Sequence, residues 1–201
     1  MSDQNLIVFI KAPRPGTVKT RLAETMGAAE ACAVYQRLVK LLLDQLADLE
    51  NVELCFTPDD ANSEIKPWAR PTWRRVAQGS GDLGCRLNQA FRRAFDQGAK
   101  RAVIIGSDCP DVGVEDIQAA WTALWSHDVV LGPATDGGYW LIGLREPHPE
   151  LFEGISWSTG EVMRQTLERT RAAGLKTHLL RELADVDTEA DWRRFLRRTE
   201  R

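Results

Sequence analysis

Cysteine and histidine are both scarce in this 201-residue sequence. Cys32, Cys55, Cys85 and Cys109 make no Cys-x-x-Cys pair and share no metal-like spacing with His127, His148 and His178. This excludes a thiolate–imidazole metal site and a disulfide framework, and it points to a reduced, cytoplasmic setting. An excess of one charge is also missing. The net charge is only −3, so nothing marks the chain as a general nucleic-acid binder. Long apolar runs are lacking too: the N-terminal run over residues 6–10 is too short for a signal peptide or a membrane span. No repeat, low-complexity segment or linker divides the chain, so residues 1–201 are expected to form a single domain with a substantial core.

What is present is ordinary in proportion, with 43% hydrophobic and 27% charged residues. Seven tryptophans are the one oddity; most are expected in the core, with a few available as stacking surface. The organising stretch is Ala102-Val103-Ile104-Ile105-Gly106-Ser107-Asp108-Cys109-Pro110-Asp111. Four consecutive apolar residues read as a strand buried on both faces, as in a parallel sheet. The run then stops in a turn with two carboxylates around a proline. Ligands of open parallel sheets bind where strands end, so Asp108 either helps hold a divalent metal against a diphosphate or caps the next helix.

The rest of the chain alternates. Strands are expected at 6–10, 52–57, 102–105, 128–131, 139–143 and 176–180, with a short one near Val76. Helices are expected from 21 to about 49 (broken at Gly27) and over 83–96, 114–125, 159–173 and 188–198. Residues 62–75 read as irregular, and the basic run 193–201 as the solvated face of the last helix. Strands alternating with helices predict a three-layer, Rossmann-like α/β fold with a mostly parallel sheet.

Five turns could carry chemistry. Lys11, Arg14, Lys19 and Arg21 crowd a Pro/Gly loop between a strand and a helix, a setting for an anion such as a diphosphate or triphosphate. It is not a P-loop: Pro13 and Val18 stand where that motif needs glycine, and proline removes N–H donors. The 78–86 turn, with Gly79, Gly81 and Gly84, lets backbone approach a nucleobase, although Asp82 also fits an ordinary N-cap. Asp136-Gly137-Gly138 is either a hairpin turn or a carboxylate on the ligand side, with Tyr139 or Trp140 free to stack on a sugar or base. Ser158 and Glu161 fit a capping box whose N–H groups could also receive an anion on a second substrate. Asp185 and Asp187, two apart in an extended segment, point the same way and offer hard oxygen donors to Mg²⁺ or Mn²⁺, while Thr188 and Asp191 fit a capping pattern. Cys109 has no histidine partner placed to make it a nucleophile.

These stretches, in this order, resemble a bacterial family of small GT-A-type glycosyltransferase-like proteins. They carry Lys11-x-Pro13-x-Pro15-Gly16-x-Val18-Lys19-Thr20-Arg21, Gln78-Gly79-x-Gly81-Asp82-Leu83-Gly84-x-Arg86, Gly106-Ser107-Asp108-Cys109-Pro110, Gly132-Pro133-Ala134-x-Asp136-Gly137-Gly138-Tyr139 and Asp185-Val186-Asp187-Thr188. Members are described as arsenosugar-biosynthesis-type glycosyltransferases or nucleotide-diphospho-sugar transferases, and 2-phospholactate guanylyltransferase is more distantly similar. Cys85 departs from the acidic residue expected there.

The resemblance implies a nucleotide-binding sheet with Asp108, Asp185 and Asp187 as metal ligands. It also implies that Lys19 and Arg21 contact phosphates and that the 78–88 segment lies near the base. Candidate nucleotide contacts are thus Pro13, Gly16, Lys19, Arg21, Gln78, Gly79, Asp82 and Gly84. The expected activity is metal-dependent transfer from a nucleotide-activated donor. In the first form a sugar moves from a nucleotide sugar to a small acceptor near Tyr139 and Ser158, with Asp136 as base and Lys19, Arg21 and Asp108 at the diphosphate. In the second, a nucleotidyltransferase moves a nucleoside monophosphate from a triphosphate to a phosphorylated or carboxylated acceptor. The third is a nucleotide-binding module without turnover.

Overall fold

The computed structural model describes residues 3–199; positions 200 and 201 of the basic run lie outside them. In chain order the elements are β1 (Gln4–Lys11), α1 (Thr20–Met26), α2 (Ala28–Gln45), β2 (Val52–Thr57), α3 (Asn62–Ile65), β3 (Arg74–Ala77), α4 (Leu83–Asp96) and β4 (Arg101–Ile105). There follow α5 (Val114–Ala123), β5 (Val129–Pro133), β6 (Tyr139–Leu144), α6 (Val162–Ala172), β7 (Thr177–Leu179) and α7 (Glu189–Thr199). Short 3₁₀ turns lie at Lys66–Trp68 and Pro149–Phe152.

The strands form one seven-stranded sheet in the order β3-β2-β1-β4-β6-β5-β7. Only β6 runs antiparallel to its neighbours. The core strands are apolar on both faces because both are covered. Leu6, Val8 and Ile10 of β1 face a cluster with Tyr35, Val39 and Leu42 of α2 and Ile117 and Trp121 of α5. Ile7 of β1 and Ile104 of β4 face Leu87 and Phe91 of α4, with Met163 and Leu167 of α6 packed alongside. The expected three layers are therefore present. The chain leaves β1 toward β2 on one side and returns as β4 on the other, so a crevice opens at the C-terminal ends of β1 and β4.

Two details differ from expectation. The segment 62–75 holds α3 and a 3₁₀ turn where irregular chain was expected, whereas the short strand expected near Val76 is present as the edge strand β3. Helix α6 begins only at Val162, and the Ser158–Glu161 capping box does not form. Ser158 has φ 63°, the Glu161 N–H donates to Thr159 Oγ1 at 3.3 Å rather than to Ser158, and the Met163 N–H donates to the Gly137 carbonyl at 2.9 Å. A Cβ on Gly137 would run into the Gly160 backbone, so these two loops pack main chain to main chain.

The last third of the chain is tied back over the crevice. Leu183 pairs with Pro133 and Thr135 through backbone hydrogen bonds, and the Val186 N–H donates to the Asp108 carbonyl at 3.0 Å. Thr188 and Asp191 do form the reciprocal cap of α7. Trp192 and Phe195 of α7 then pack against Leu22, Val34 and Leu38. Asp111 accepts from Arg198 at 2.5 and 2.6 Å, which gives this turn carboxylate a clasp on α7. Arg181 forks onto Asp116 of α5 with two bonds of 2.7 Å.

Removing the largest α7 anchor should be costly. Trp192→Ala is expected to lower unfolding free energy by about 3–5 kcal/mol in urea titrations. Burial alone would raise the Asp116 carboxyl, but Arg181 and the Gly113 N–H outweigh it and hold the group below its usual range. A depressed carboxylate adds stability above its unfolded pKa and loses it as pH falls through the folded value. Asp116→Asn should therefore be less stable than wild type by about 1 kcal/mol at neutral pH. In thermal melts that gap should close below about pH 4, the ordinary aspartate range.

Candidate active-site cleft

The crevice holds a cleft of about 510 Å³, walled by Lys11, Lys19, Arg21, Tyr35, Gln78, Asp82, Arg86, Ser107, Asp108, Ser158 and Asp187 among others. Its centre is Lys19. The ammonium lies 2.5 Å from Asp108 Oδ1 and 3.1 Å from Asp187 Oδ1, with only 3% of the side chain exposed. Burial alone would pull the lysine pKa down; the charge and hydrogen bond of Asp108, then those of Asp187, hold it above the ordinary value. The group therefore stays charged. Arg21 Nη1 is 3.5 Å from Asp187 Oδ2 and largely exposed to the cleft.

Local backbone explains how a buried lysine is aimed here. Lys19 is the N-cap of α1 yet sits at φ 48°, ψ 49°, in the left-handed region. Lys19 and Ser158 are the two non-glycine residues with positive φ among the described residues, and both line the cleft. Such conformations cost an ordinary residue about 1 kcal/mol and persist where surrounding structure over-determines them. Two remote segments do so for Lys19: the turn after β4, and the 183–187 segment registered against it by the Val186–Asp108 bond.

The other wall is the 78–86 turn. Asp82 caps α4 by accepting the Cys85 N–H at 2.8 Å. Gly81, at φ 102°, cannot carry a side chain because a Cβ would fall 2.7 Å from that of Cys85. Gln78 is buried, donating to the Cys55 carbonyl at 2.9 Å, and Arg86 Nε donates to the Gly81 carbonyl at 2.9 Å. These bonds make the wall rigid before any ligand arrives.

Of the sequence-derived candidates, Lys19, Arg21, Gln78, Asp82, Asp108, Ser158 and Asp187 line this cleft. Pro13, Gly16, Gly79, Gly84, Asp136, Asp185 and Tyr139 do not. Arg14, one of the four cations of the first loop, turns away and forks onto Glu64 with a further bond to Asp60. Gly84 fits against Phe152 and Trp157: a Cβ would lie 2.6 Å from the Phe152 carbonyl oxygen. Asp136 sits in the β5–β6 hairpin turn and accepts the Gly138 N–H at 2.9 Å. Tyr139 packs into the core beneath α6 and walls an apolar pocket of about 120 Å³ that shares Phe9, Leu83 and Gly106 with the cleft. No tryptophan lines the main cleft.

Asp185 lies just behind the cleft. Burial, then the charges of Asp108, Asp136 and Asp187, push its carboxyl up to about 6. Burial and the neighbouring Asp185 also push the Cys109 thiol far up, which removes it as a nucleophile. Sequence reasoning missed Tyr35, whose hydroxyl accepts the Lys11 N–H at 2.8 Å and lies 3.2 Å from Ser107 Oγ, bracing the ends of β1 and β4. In the sequence it is one more member of an apolar helical stripe.

The donor set suits a hard divalent cation: all oxygen, all carboxylate, with the charges of Asp108, Asp136 and Asp187 bearing on Asp185. No group of three or more His, Cys, Asp or Glu with ligand geometry occurs among the described residues. Mg²⁺-type sites can use as few as one or two carboxylates and complete their shell with water and substrate phosphate.

A family model described as "Uncharacterized protein conserved in bacteria (DUF2064)" matches residues 42–159. A 3-phospho-D-glycerate guanylyltransferase from Phenylobacterium zucineum is 31% identical over 177 residues, covering 81% of this chain and 75% of that protein. A crystal structure of a candidate nucleotide-diphospho-sugar transferase from Desulfovibrio desulfuricans superposes with a TM-score of 0.93 at 39% identity, covering 99% of this chain and 88% of that one. A 4-diphosphocytidyl-2C-methyl-D-erythritol synthase from Anaerococcus prevotii has the same fold, with a TM-score of 0.64 at 10% identity over 100% of both chains.

The packing around Gly84 yields a test that needs no ligand. Gly84→Ala should destabilise the protein by about 1–3 kcal/mol through overpacking against Phe152 and Trp157, read as a lowered urea midpoint without added nucleotide.

Proposed function

This chain belongs to the DUF2064 family, and from that premise we propose that it is a nucleotidyltransferase, moving a nucleoside monophosphate from a nucleoside triphosphate to a small acceptor bearing a phosphate or carboxylate. One observation carries the choice: every carboxylate of the cleft wall is already engaged. Asp82 caps α4, and Asp108 and Asp187 share Lys19. Behind them, Asp136 is engaged in its hairpin turn. Glycosyl transfer to a hydroxyl calls for a base to take the proton. A phosphate or carboxylate acceptor is already anionic at neutral pH and calls for none.

In this reading an acceptor oxygen bonds to the α-phosphorus as the bond from that phosphorus to the bridging oxygen breaks, and pyrophosphate leaves with the electron pair. Lys11, Lys19 and Arg21 offset the charge that gathers on the leaving group, in a site prepared before the reaction. Mg²⁺ or Mn²⁺ at Asp108 and Asp187, with Asp185 behind them, would add Lewis-acid neutralisation of the same charge. The rigid 78–86 wall would hold the base and ribose, and Ser158 would meet the acceptor. The guanylyltransferase relative supports GTP as the donor and a phosphorylated carboxylic acid as the acceptor. Glycosyl transfer is the second reading, favoured by the description of the Desulfovibrio protein; there Asp136 would serve as base.

The test is product analysis. With Mn²⁺, the four nucleoside triphosphates and a set of phosphorylated carboxylic acids, pyrophosphate should form only when acceptor is present, fastest with GTP. Asp108→Asn should reduce that rate by roughly 100-fold or more. Nucleoside diphosphate released from nucleotide sugars, without pyrophosphate from triphosphates, would establish the glycosyl reading instead. Nucleotide binding with neither product would leave a binding module.

A further inference from the structure

The cleft contains a cation of its own at the place where a metal would sit. Lys19 Nζ lies between Asp108 Oδ1 at 2.5 Å and Asp187 Oδ1 at 3.1 Å, and its side chain is sealed from solvent to all but 3%. Asp108 and Asp187 themselves are not sealed: their side chains remain 48% and 32% exposed toward the cleft. A divalent ion bound between the same two oxygens would need metal–oxygen distances near 2.1 Å. It cannot share that volume with an ammonium, and the two positive charges would repel each other at close range.

Resting on the metal-dependent reading above, we propose that Lys19 is a stand-in cation that keeps the metal site closed until nucleotide arrives. In the nucleotide-free protein it neutralises Asp108 and Asp187 and excludes divalent ions. The phosphates of the incoming nucleotide offer the ammonium an anionic partner on the open side of the cleft, beside Lys11 and Arg21. Drawn onto the phosphate, Lys19 frees both carboxylates for the metal. Metal and nucleotide therefore bind cooperatively, and the coupling is reciprocal by linkage. The left-handed backbone at Lys19 suits this role: it sets the direction of the root of a side chain whose ammonium reaches both carboxylates, while the tip is free to change partner.

Mn²⁺ titration of the nucleotide-free protein, followed by the electron paramagnetic resonance signal of free Mn²⁺, separates the possibilities without any turnover. Wild type and Lys19→Arg should bind Mn²⁺ weakly. Lys19→Met, which removes the charge and keeps the length, should bind it at least tenfold more tightly. Asp108→Asn in the Lys19→Met background should cancel that gain. Lys19→Gln substitutes if circular dichroism shows that Lys19→Met is unfolded. In parallel, GTP affinity of the wild type is measured by calorimetry with and without Mn²⁺ and should rise at least tenfold with the ion. If Mn²⁺ strengthens GTP binding but Lys19→Met and Lys19→Gln bind Mn²⁺ no better than wild type, the stand-in role is overturned and the metal reading survives. If no variant binds Mn²⁺ and GTP affinity ignores it, both fall.

Discussion

One buried ammonium joins three stretches of chain that lie far apart in sequence. Lys19 follows the first strand, Asp108 follows the fourth, and Asp187 precedes the last helix; the ion pairs among them close the cleft. A lysine is rarely this buried unless paired, and leaving its ammonium without a counter-charge inside the protein is strongly unfavourable. The loop after β1, the turn after β4 and the docking of α7 are therefore mutually dependent. The sheet supplies the scaffold by placing β1 and β4 side by side. The Val186–Asp108 backbone bond sets the register in which the second carboxylate arrives.

Much of this was legible because local signals agreed with the global fold. Helix α4 reads correctly at both ends: Asp82 is a capping residue in fact, and its apolar stripe at Leu87, Ala90, Phe91 and Ala94 is the buried face. The continuous apolar strands were readable as doubly covered for the same reason, since both faces meet helices. Asp108 was readable as a cleft residue because it follows a buried strand, at the end where open parallel sheets form their crevices.

What was not legible depends on partners distant in sequence. Ser158 and Glu161 have the spacing of a capping box, but Ser158 sits at a positive φ and the Glu161 N–H donates to Thr159 Oγ1, while the Gly137 carbonyl, brought by the hairpin, takes the Met163 N–H. Arg14 looks like one more phosphate contact until Glu64 and Asp60 fold against it. Tyr139 has the chemistry of a stacking platform, yet the turn of β6 sends it into the core. Asp111 reads as turn chemistry, and only the return of α7 shows that it holds Arg198. In each case composition names the capability and topology chooses the partner.

The position of Asp187 has a consequence for how the protein is made. The first four strands, with Lys19 and Asp108, are specified before Asp187, which follows Asp108 by 79 residues. At ribosomal speeds of about 5–20 residues per second, that interval lasts roughly 4–16 s. During it a nascent chain can pair β1 with β4 and cover them, but Lys19 has only half of its counter-charge. The cleft is thus assembled last, by the segment that also packs α7 onto α1 and α2. An unfinished chain carries a sheet without a finished site, so nucleotides in the surrounding solution meet a complete set of charges only once α7 has docked.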